Sequence, residues 1–291
     1  MKMSNGSVDF GKKQPLCIYD PEISFEDSRG GLRFFIPTAN GFVNYNLVHT
    51  VNFDRACDTW RLSIAYAFDD NLENGFPLTP PGAEWDMALR LNGRPDFIGG
   101  FAHGDEKCTL VEMQIDGNKV EIDSILELTP FKEIKITVNS KGFDPLSPAK
   151  EVLNHSKEYT IDENGVTLDQ RVAWLGDYTL GASYMAMMPP LKTLTDRFYT
   201  DINKIPLDPT EYYDVKYFGA TEAVVYGETS GISYSMSVEE KQSLEGGNHF
   251  LLSDNGRGKY NKMYFVICNG ARVSRGDEWV TMTKYKITIK Q

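Results

Sequence analysis

One short stretch concentrates residue types able to move protons. Arg94 to Lys107 reads Arg-Pro-Asp-Phe-Ile-Gly-Gly-Phe-Ala-His-Gly-Asp-Glu-Lys, placing His103, one of four histidines, directly before Gly104, Asp105, Glu106 and Lys107. Imidazole titrates near neutral pH without large perturbation, so His103 with Glu106 is a candidate acid/base pair, or a histidine oriented by a carboxylate. The competing reading is a loop histidine held in turn hydrogen bonds. Gly99-Gly100 before it and Gly104 after it suit close approach of another group to the backbone. Asp105 reads as a turn residue. Lys107 suits either neutralisation of a substrate carboxylate or plain solvation.

A second group recurs at period two: His155, Lys157 and Tyr159. A strand would present all three on one face. They could line a sugar cleft, with histidine as base, lysine as counter-charge and tyrosine as proton donor or stacking platform. The alternative is an exposed polar sheet face. Gln170 and Arg171 follow on the next segment, beside Asp169. The planar fork of Arg171 fits a carboxylate held at two points, or a structural pair with Asp169 or Asp162; Gln170 offers an amide for the same task. Tyr184 sits among Met185, Met187 and Met188, a run that suits core as well as cleft.

His49 reads as a structural histidine, and Asn248-His249 as part of a loop. Asp254 and Asn255 could belong to a weak calcium loop. No three-ligand constellation has metal spacing, so no metal or cofactor is expected. There is no nucleophile elbow, P-loop or dinucleotide fingerprint.

The elements that must position these residues are strands. Leu32 to Pro37, Phe42 to Val51 and Trp60 to Phe68 open the series, the last with Trp60, Leu62, Ile64, Tyr66 and Phe68 on one face. Glu84 to Leu91 is read as a strand or a short helical turn. Thr109 to Ile115 and Lys119 to Ile125 flank Asp116-Gly117-Asn118, a hairpin signal. Phe131 to Val138 precedes a loop with Pro145 and Pro148. His155 to Ile161 and Val166 to Trp174 form a second hairpin, followed by Thr179 to Met188. Further runs are Asp214 to Phe218, Ala223 to Tyr226, Ser233 to Val238, Met263 to Cys268 and Trp279 to Ile289. No helical period and no repeat appears. The expectation is all-β: one large antiparallel β-sandwich over 1–291, with 1–30 a turn-rich N-terminal segment and the loop at 141–150 a connection within it.

Bulk composition narrows the classes. The chain has 291 residues, 41% hydrophobic and 12% aromatic, enough for a substantial core. A formal charge of −11 argues against a nucleic-acid partner and requires a locally positive cleft for any anionic substrate. Cys17, Cys57, Cys108 and Cys268 follow no framework spacing and read as reduced buried thiols. Neither a signal-peptide core nor a membrane-length apolar run is present. A soluble chain with no membrane partner is expected, cytoplasmic or released without a Sec signal, as in a phage particle.

The later half resembles the galactose-mutarotase-like supersandwich of sugar epimerases and several polysaccharide lyases. The residues carrying the resemblance are His155-x-Lys157-x-Tyr159-Thr160-x-Asp162-x-Asn164-Gly165 and Tyr184-Met185-Ala186-Met187-Met188-Pro189 with Thr195-Asp196. Lys262-Met263-Tyr264-Phe265 and Gly276-Asp277-Glu278-Trp279 complete it. The glutamate-bearing C-terminal motif that true aldose epimerases use as base is missing; Glu228 and Glu239 do not supply it. In lyases of this architecture the resemblance implies histidine or tyrosine as base and acid, and arginine, asparagine or glutamine neutralising a uronate. The leading expectation is therefore a polysaccharide lyase cleaving an acidic glycan by β-elimination. His103 or His155 would be base, Tyr159 or Tyr184 acid, and Arg171 with Lys107 neutralisers, Glu106 and Gln170 completing the substrate contacts. A mutarotase-like epimerase and a non-catalytic glycan-binding or phage-associated module are the alternatives.

Overall fold

The computed structural model describes residues 13–23, 28–99, 103–208, 215–240, 248–255, 259–267 and 270–290. In chain order the first strands are β1 (Leu16–Asp20), β2 (Ser28–Thr38), β3 (Gly41–Asn52), β4 (Cys57–Phe68), β5 (Gly75–Pro77) and β6 (Ala88–Leu91). Next come β7 (Glu106–Ile115), β8 (Asn118–Val120), β9 (Thr129–Pro130), β10 (Ile134–Asp144) and β11 (Ser147–Asp162). The middle holds β12 (Gly165–Trp174), β13 (Tyr178–Met188), β14 (Arg197–Thr200), β15 (Val215–Phe218) and β16 (Glu222–Tyr226). Last are β17 (Ile232–Glu240), β18 (His249–Asn255), β19 (Tyr260–Val266), β20 (Arg272–Val273) and β21 (Glu278–Ile289). Among the described residues only two short 3₁₀ turns, Ile122–Ser124 and Lys192–Leu194, interrupt the strands. No helix among the described residues is long and apolar enough to cross a membrane.

Fifteen strands form one sheet, ordered β14-β16-β17-β21-β12-β11-β10-β7-β4-β3-β2-β1-β9, with β5 and β8 attached to β4 and β7. Six form a second sheet, β15-β18-β19-β13-β20 with β6 on β13. Pairing is antiparallel except for one bridge, Asp58 with Lys107, between β4 and β7. The all-β sandwich expected from the sequence is the architecture observed.

Alternation explains most of the large sheet. In β10, β12, β17 and β21, and in β11 from Leu153 on, nearly every second residue is buried, so Ile134, Ile136, Val138, Leu168, Val172, Tyr234 and Tyr285 enter the core. Each fully buried large apolar side chain contributes about 1.5–3 kcal/mol. Trp85 packs edge-on against Tyr45 and Tyr285, while Tyr285 Oη donates to the Trp85 carbonyl (2.7 Å) and the Ile287 amide donates to Tyr45 Oη (2.8 Å). Strands β3 and β21 and the segment leading into β6 are thereby fastened around one indole.

Three expectations change. Residues 16–20, placed in a turn-rich segment, form β1 and bury Leu16, Cys17 and Ile18; five residues between polar flanks are too short for a visible period. The loop at 141–150 is a tight hairpin, because Asp144 accepts the Leu146 amide (3.1 Å) and lets β10 and β11 run on to meet there. Asn248-His249 is not a loop at its histidine: His249 begins β18 and is buried. Strand β4 is also buried on both faces, so Arg61 and Ser63 lie inside alongside Leu62 and Ile64. That departure from alternation, shared by β3, has consequences for the site.

Candidate active site

The polar interior begins where β4, β7 and β11 meet the segment leading into β6. Lys157 Nζ donates to the Trp60 carbonyl (2.8 Å), Thr59 Oγ1 (3.3 Å) and Asp86 Oδ2 (3.3 Å), using its three donors. Tyr159 Oη donates to the same Asp86 oxygen at 2.5 Å. On the other side Glu106 lies 3.9 Å from Lys157 and accepts from Ser140 Oγ (2.5 Å), with His155 Nδ1 at 2.9 Å. Arg61 is buried in the field of Glu84 and Asp86, and its Nε donates to Thr50 Oγ1 (3.3 Å). Lys262 pairs with Glu84 (3.2 Å). Three cations, Arg61, Lys157 and Lys262, thus stand against three carboxylates, Glu84, Asp86 and Glu106.

Burial alone would neutralise such groups, and pairing reverses that. Burial pushes the Glu106 carboxyl up, but Lys157, His155 and Ser140 outweigh it and hold the group well below the ordinary carboxylate range. Burial pulls Lys157 down, while Glu106 and Asp86 bring it out above its ordinary value. Glu84 is pushed up by burial and brought below its ordinary value by Lys262, His103 and Arg61. Lys262 ends below its ordinary value, because burial exceeds the pull of Glu84.

The outer end of this network is His103. Its Nδ1 lies 2.6 Å from Asp96 Oδ1, while Nε2 is 3.6 Å from Glu84 Oε1. The second distance is an ion-pair separation, too long for a good hydrogen bond. Aromatic groups complete a closed circuit. The Phe97 ring is 4.7 Å from His103 and 5.7 Å from Tyr184, Tyr184 is 4.5 Å from Tyr264, and Lys262 lies 5.2 Å over Tyr264 before reaching Glu84. His103 keeps 27% of its side chain exposed, Asp96 42%, whereas Glu84 keeps 8%. The circuit therefore presents an imidazole and three aromatic rings outward, with its charges behind them.

Backbone geometry fixes which acid meets which histidine. Gly104 has φ of +78°, and a Cβ there would lie 2.0 Å from the Arg55 carbonyl oxygen. Asp105 follows at φ +54°, in the left-handed region that a turn aspartate tolerates. These two turns swing Glu106 inward at the start of β7 and leave His103 facing Asp96. The expected His103–Glu106 pair is accordingly not formed; Glu106 meets His155 instead. Asp105 is pushed up to about 6 by burial and by Asp96 and Asp144.

The other expected residues separate by strand alternation. His155, Lys157 and Tyr159 do share one face, but it is the interior one, and all three are sealed from solvent rather than lining an open cleft or a wet sheet face. Gln170 also points inward and donates to the Met185 carbonyl (2.5 Å). Arg171, one residue on, points outward, 58% exposed, and pairs with Glu278 (2.5 Å). Lys107 likewise points outward, over the Phe143 ring at 5.4 Å. Both cations are exposed, on the sheet face away from the buried His155 and Lys157. Tyr184 alone joins His103, through Phe97.

Several participants were not among the site residues expected from the sequence: Arg61, Glu84, Asp86, Asp96, Phe97, Lys262 and Tyr264. Acids at period two around Trp85, in an apolar run, were the available signal for Glu84 and Asp86. His49 is satisfied by Asp58 (2.8 Å) and stacked on Trp60. Cys17, Cys57 and Cys108 are free thiols, and burial pushes Cys17 and Cys57 up to about 12. Cys268 and the side chains of Asp254 and Asn255 lie outside the described residues. Among the described residues no group of three or more His, Cys, Asp or Glu side chains could hold a metal ion.

No protein-family model matches the sequence, and no curated protein matches it. Solved structures do resemble it. A galactose mutarotase-like protein from Clostridium acetobutylicum aligns with TM-score 0.49 and 12% identity over 96% of this chain and 100% of its own. A putative aldose 1-epimerase from Escherichia coli K12 aligns with TM-score 0.40 and 9% identity, covering 88% and 99%. A 4-alpha-glucanotransferase from Thermococcus litoralis aligns with TM-score 0.45 and 8% identity over 95% of this chain, which spans 40% of that enzyme's length. These similarities extend over most of the chain. They concern fold alone.

Proposed function

We propose that the protein is a carbohydrate-active enzyme in which His103 moves protons on a sugar ring bound over Phe97, Tyr184 and Tyr264. The observation that carries this reading is the closed circuit of His103, Phe97, Tyr184, Tyr264, Lys262 and Glu84. Aromatic faces suit the apolar faces of a pyranose, and a half-exposed imidazole suits acid/base work near neutral pH. With Nδ1–H donated to Asp96, Nε2 is the ring edge left to take up a proton, on the side of the imidazole that lies 3.6 Å from Glu84 Oε1. In a mutarotase-like step that edge takes the proton from the anomeric hydroxyl. The C1–O5 bond breaks, the ring oxygen receives a proton, and closure on the other face of C1 returns both protons. The Tyr184 hydroxyl is the candidate donor to the ring oxygen.

Ring opening suits the site better than β-elimination does. The elimination expected from the sequence placed Arg171 and Tyr159 beside the base, and these residues lie on the far face and in the sealed interior. Anomer equilibration by a panel of aldoses and uronic acids, followed by polarimetry, tests the reading. Acceleration that His103→Gln lowers at least about 100-fold supports it. The same panel extended to uronate polysaccharides, with ultraviolet absorbance of the unsaturated product, distinguishes elimination. A flat record in both assays overturns the enzymatic reading.

A further inference from the structure

We infer that the ligand of this site carries an anionic group on its sugar, a carboxylate or a phosphate, and that Arg90 receives it. The inference takes the location of the sugar from the reading above and adds the class of sugar.

Arg90 projects from β6 on the side opposite Leu89 and Leu91, both of which enter the core. Its guanidinium carbon lies 5.1 Å from the centroid of Phe97, the ring that touches both His103 and Tyr184. Its other flank is Gly181, where a Cβ would come within 3.2 Å of Arg90 Nε and 3.7 Å of its Nη2. The guanidinium is thus sandwiched between an aromatic face and a residue without a side chain. Stacking of this kind fixes the plane of the fork and leaves its N–H edge free to donate. Two such donors match a carboxylate or phosphate oxygen pair.

The charge inventory singles out this cation. Lys262 is bound to Glu84, and Arg61 is buried in the field of Glu84 and Asp86. Arg94, nearby in sequence, is held by both oxygens of Asp144. Among the described residues Arg90 has no carboxylate partner and makes no hydrogen bond; its guanidinium lies over the Phe97 ring instead. In a chain of net charge −11, a half-buried guanidinium left without a carboxylate beside an acid/base histidine is the locally positive group an anionic ligand requires.

Equilibrium binding by calorimetry tests the inference on the full chain. The probes are glucose, glucuronate and glucose 6-phosphate, with galactose, galacturonate and galactose 6-phosphate as a second series. In at least one series an anionic member should bind about tenfold tighter than its neutral parent. Arg90→Gln should abolish that preference, and Arg90→Lys should keep part of it, since the charge survives without the fork. The carboxylate and phosphate arms identify which anion is read. Neutral sugars binding as well as anionic ones in both series, or a preference that survives Arg90→Gln, overturns the inference. Binding needs no turnover, so failure of the His103 chemistry is registered separately, as a null rate with the anion preference still measurable. Unchanged thermal midpoints of the Arg90 variants confirm that their fold is intact.

Discussion

Replacing Lys157 by Met keeps most of the volume of a fully buried side chain and removes its ammonium. Asp86 then loses the 3.3 Å contact and Glu106 the 3.9 Å contact that offset their burial, and the Trp60 carbonyl and Thr59 hydroxyl lose a donor. Breaking one partner out of a buried ionic group costs about 3–5 kcal/mol, against a total stability of about 5–15 kcal/mol. With a urea slope of about 3 kcal/mol per molar, the unfolding midpoint should fall by about 1–1.7 M. Tryptophan fluorescence during urea titration reads this directly, since Trp60, Trp85 and Trp174 are all buried. A double-mutant cycle sharpens it. In an Asp86→Asn background the same Lys157→Met change should cost about 2 kcal/mol less, because one of the stranded carboxylates is gone. A midpoint shift below about 0.3 M, or a strictly additive cycle, would refute the claim that this lysine balances the interior acids.

Acid should act through Glu106. Its folded-state value lies below its unfolded one, so its contribution is complete above the unfolded carboxylate range, near 4.3, and is lost as pH falls from there toward the folded value. Glu106→Gln should therefore be much less stable than wild type at pH 7, with the gap narrowing below about pH 4 in thermal melts. Asp105 has the opposite sign: raised to about 6, it costs stability increasingly as pH climbs from the ordinary aspartate range to 6, and fully above that. Asp105→Asn, which also suits φ of +54°, should raise the melting temperature at pH 7 and change it little at pH 4. Gly104→Ala should destabilise by about 1–3 kcal/mol or more in urea titration, since the new Cβ meets the Arg55 carbonyl in a left-handed backbone.

The strands were legible and the partners were not. Val166 to Trp174 and Trp279 to Ile289 alternate cleanly because one face is core and the other wet, and both appear in the structure as β12 and β21. The same alternation correctly joined His155, Lys157 and Tyr159 on one face. It could not say which face was interior, because a polar triad reads as solvent-facing until carboxylates from elsewhere in the chain are placed against it. Asp86 lies 71 residues from Lys157, and Glu84 lies 178 residues from Lys262. Asp96 lies within the Arg94–Lys107 stretch, yet sequence proximity alone points His103 toward Glu106. Two consecutive positive φ angles at Gly104 and Asp105 reverse which side chains face each other, and only the backbone geometry reveals that.

The most direct test of the account is the pair His103→Gln and Asp96→Asn, assayed for anomer equilibration on the sugar that wild type turns over. His103→Gln should lower kcat at least about 100-fold with an unchanged melting temperature. Asp96→Asn should lower it less and alter the pH–rate profile, as expected of a residue that orients the imidazole. Turnover by His103→Gln within about twofold of wild type would contradict the assignment of this aromatic-ringed imidazole as the acid/base centre.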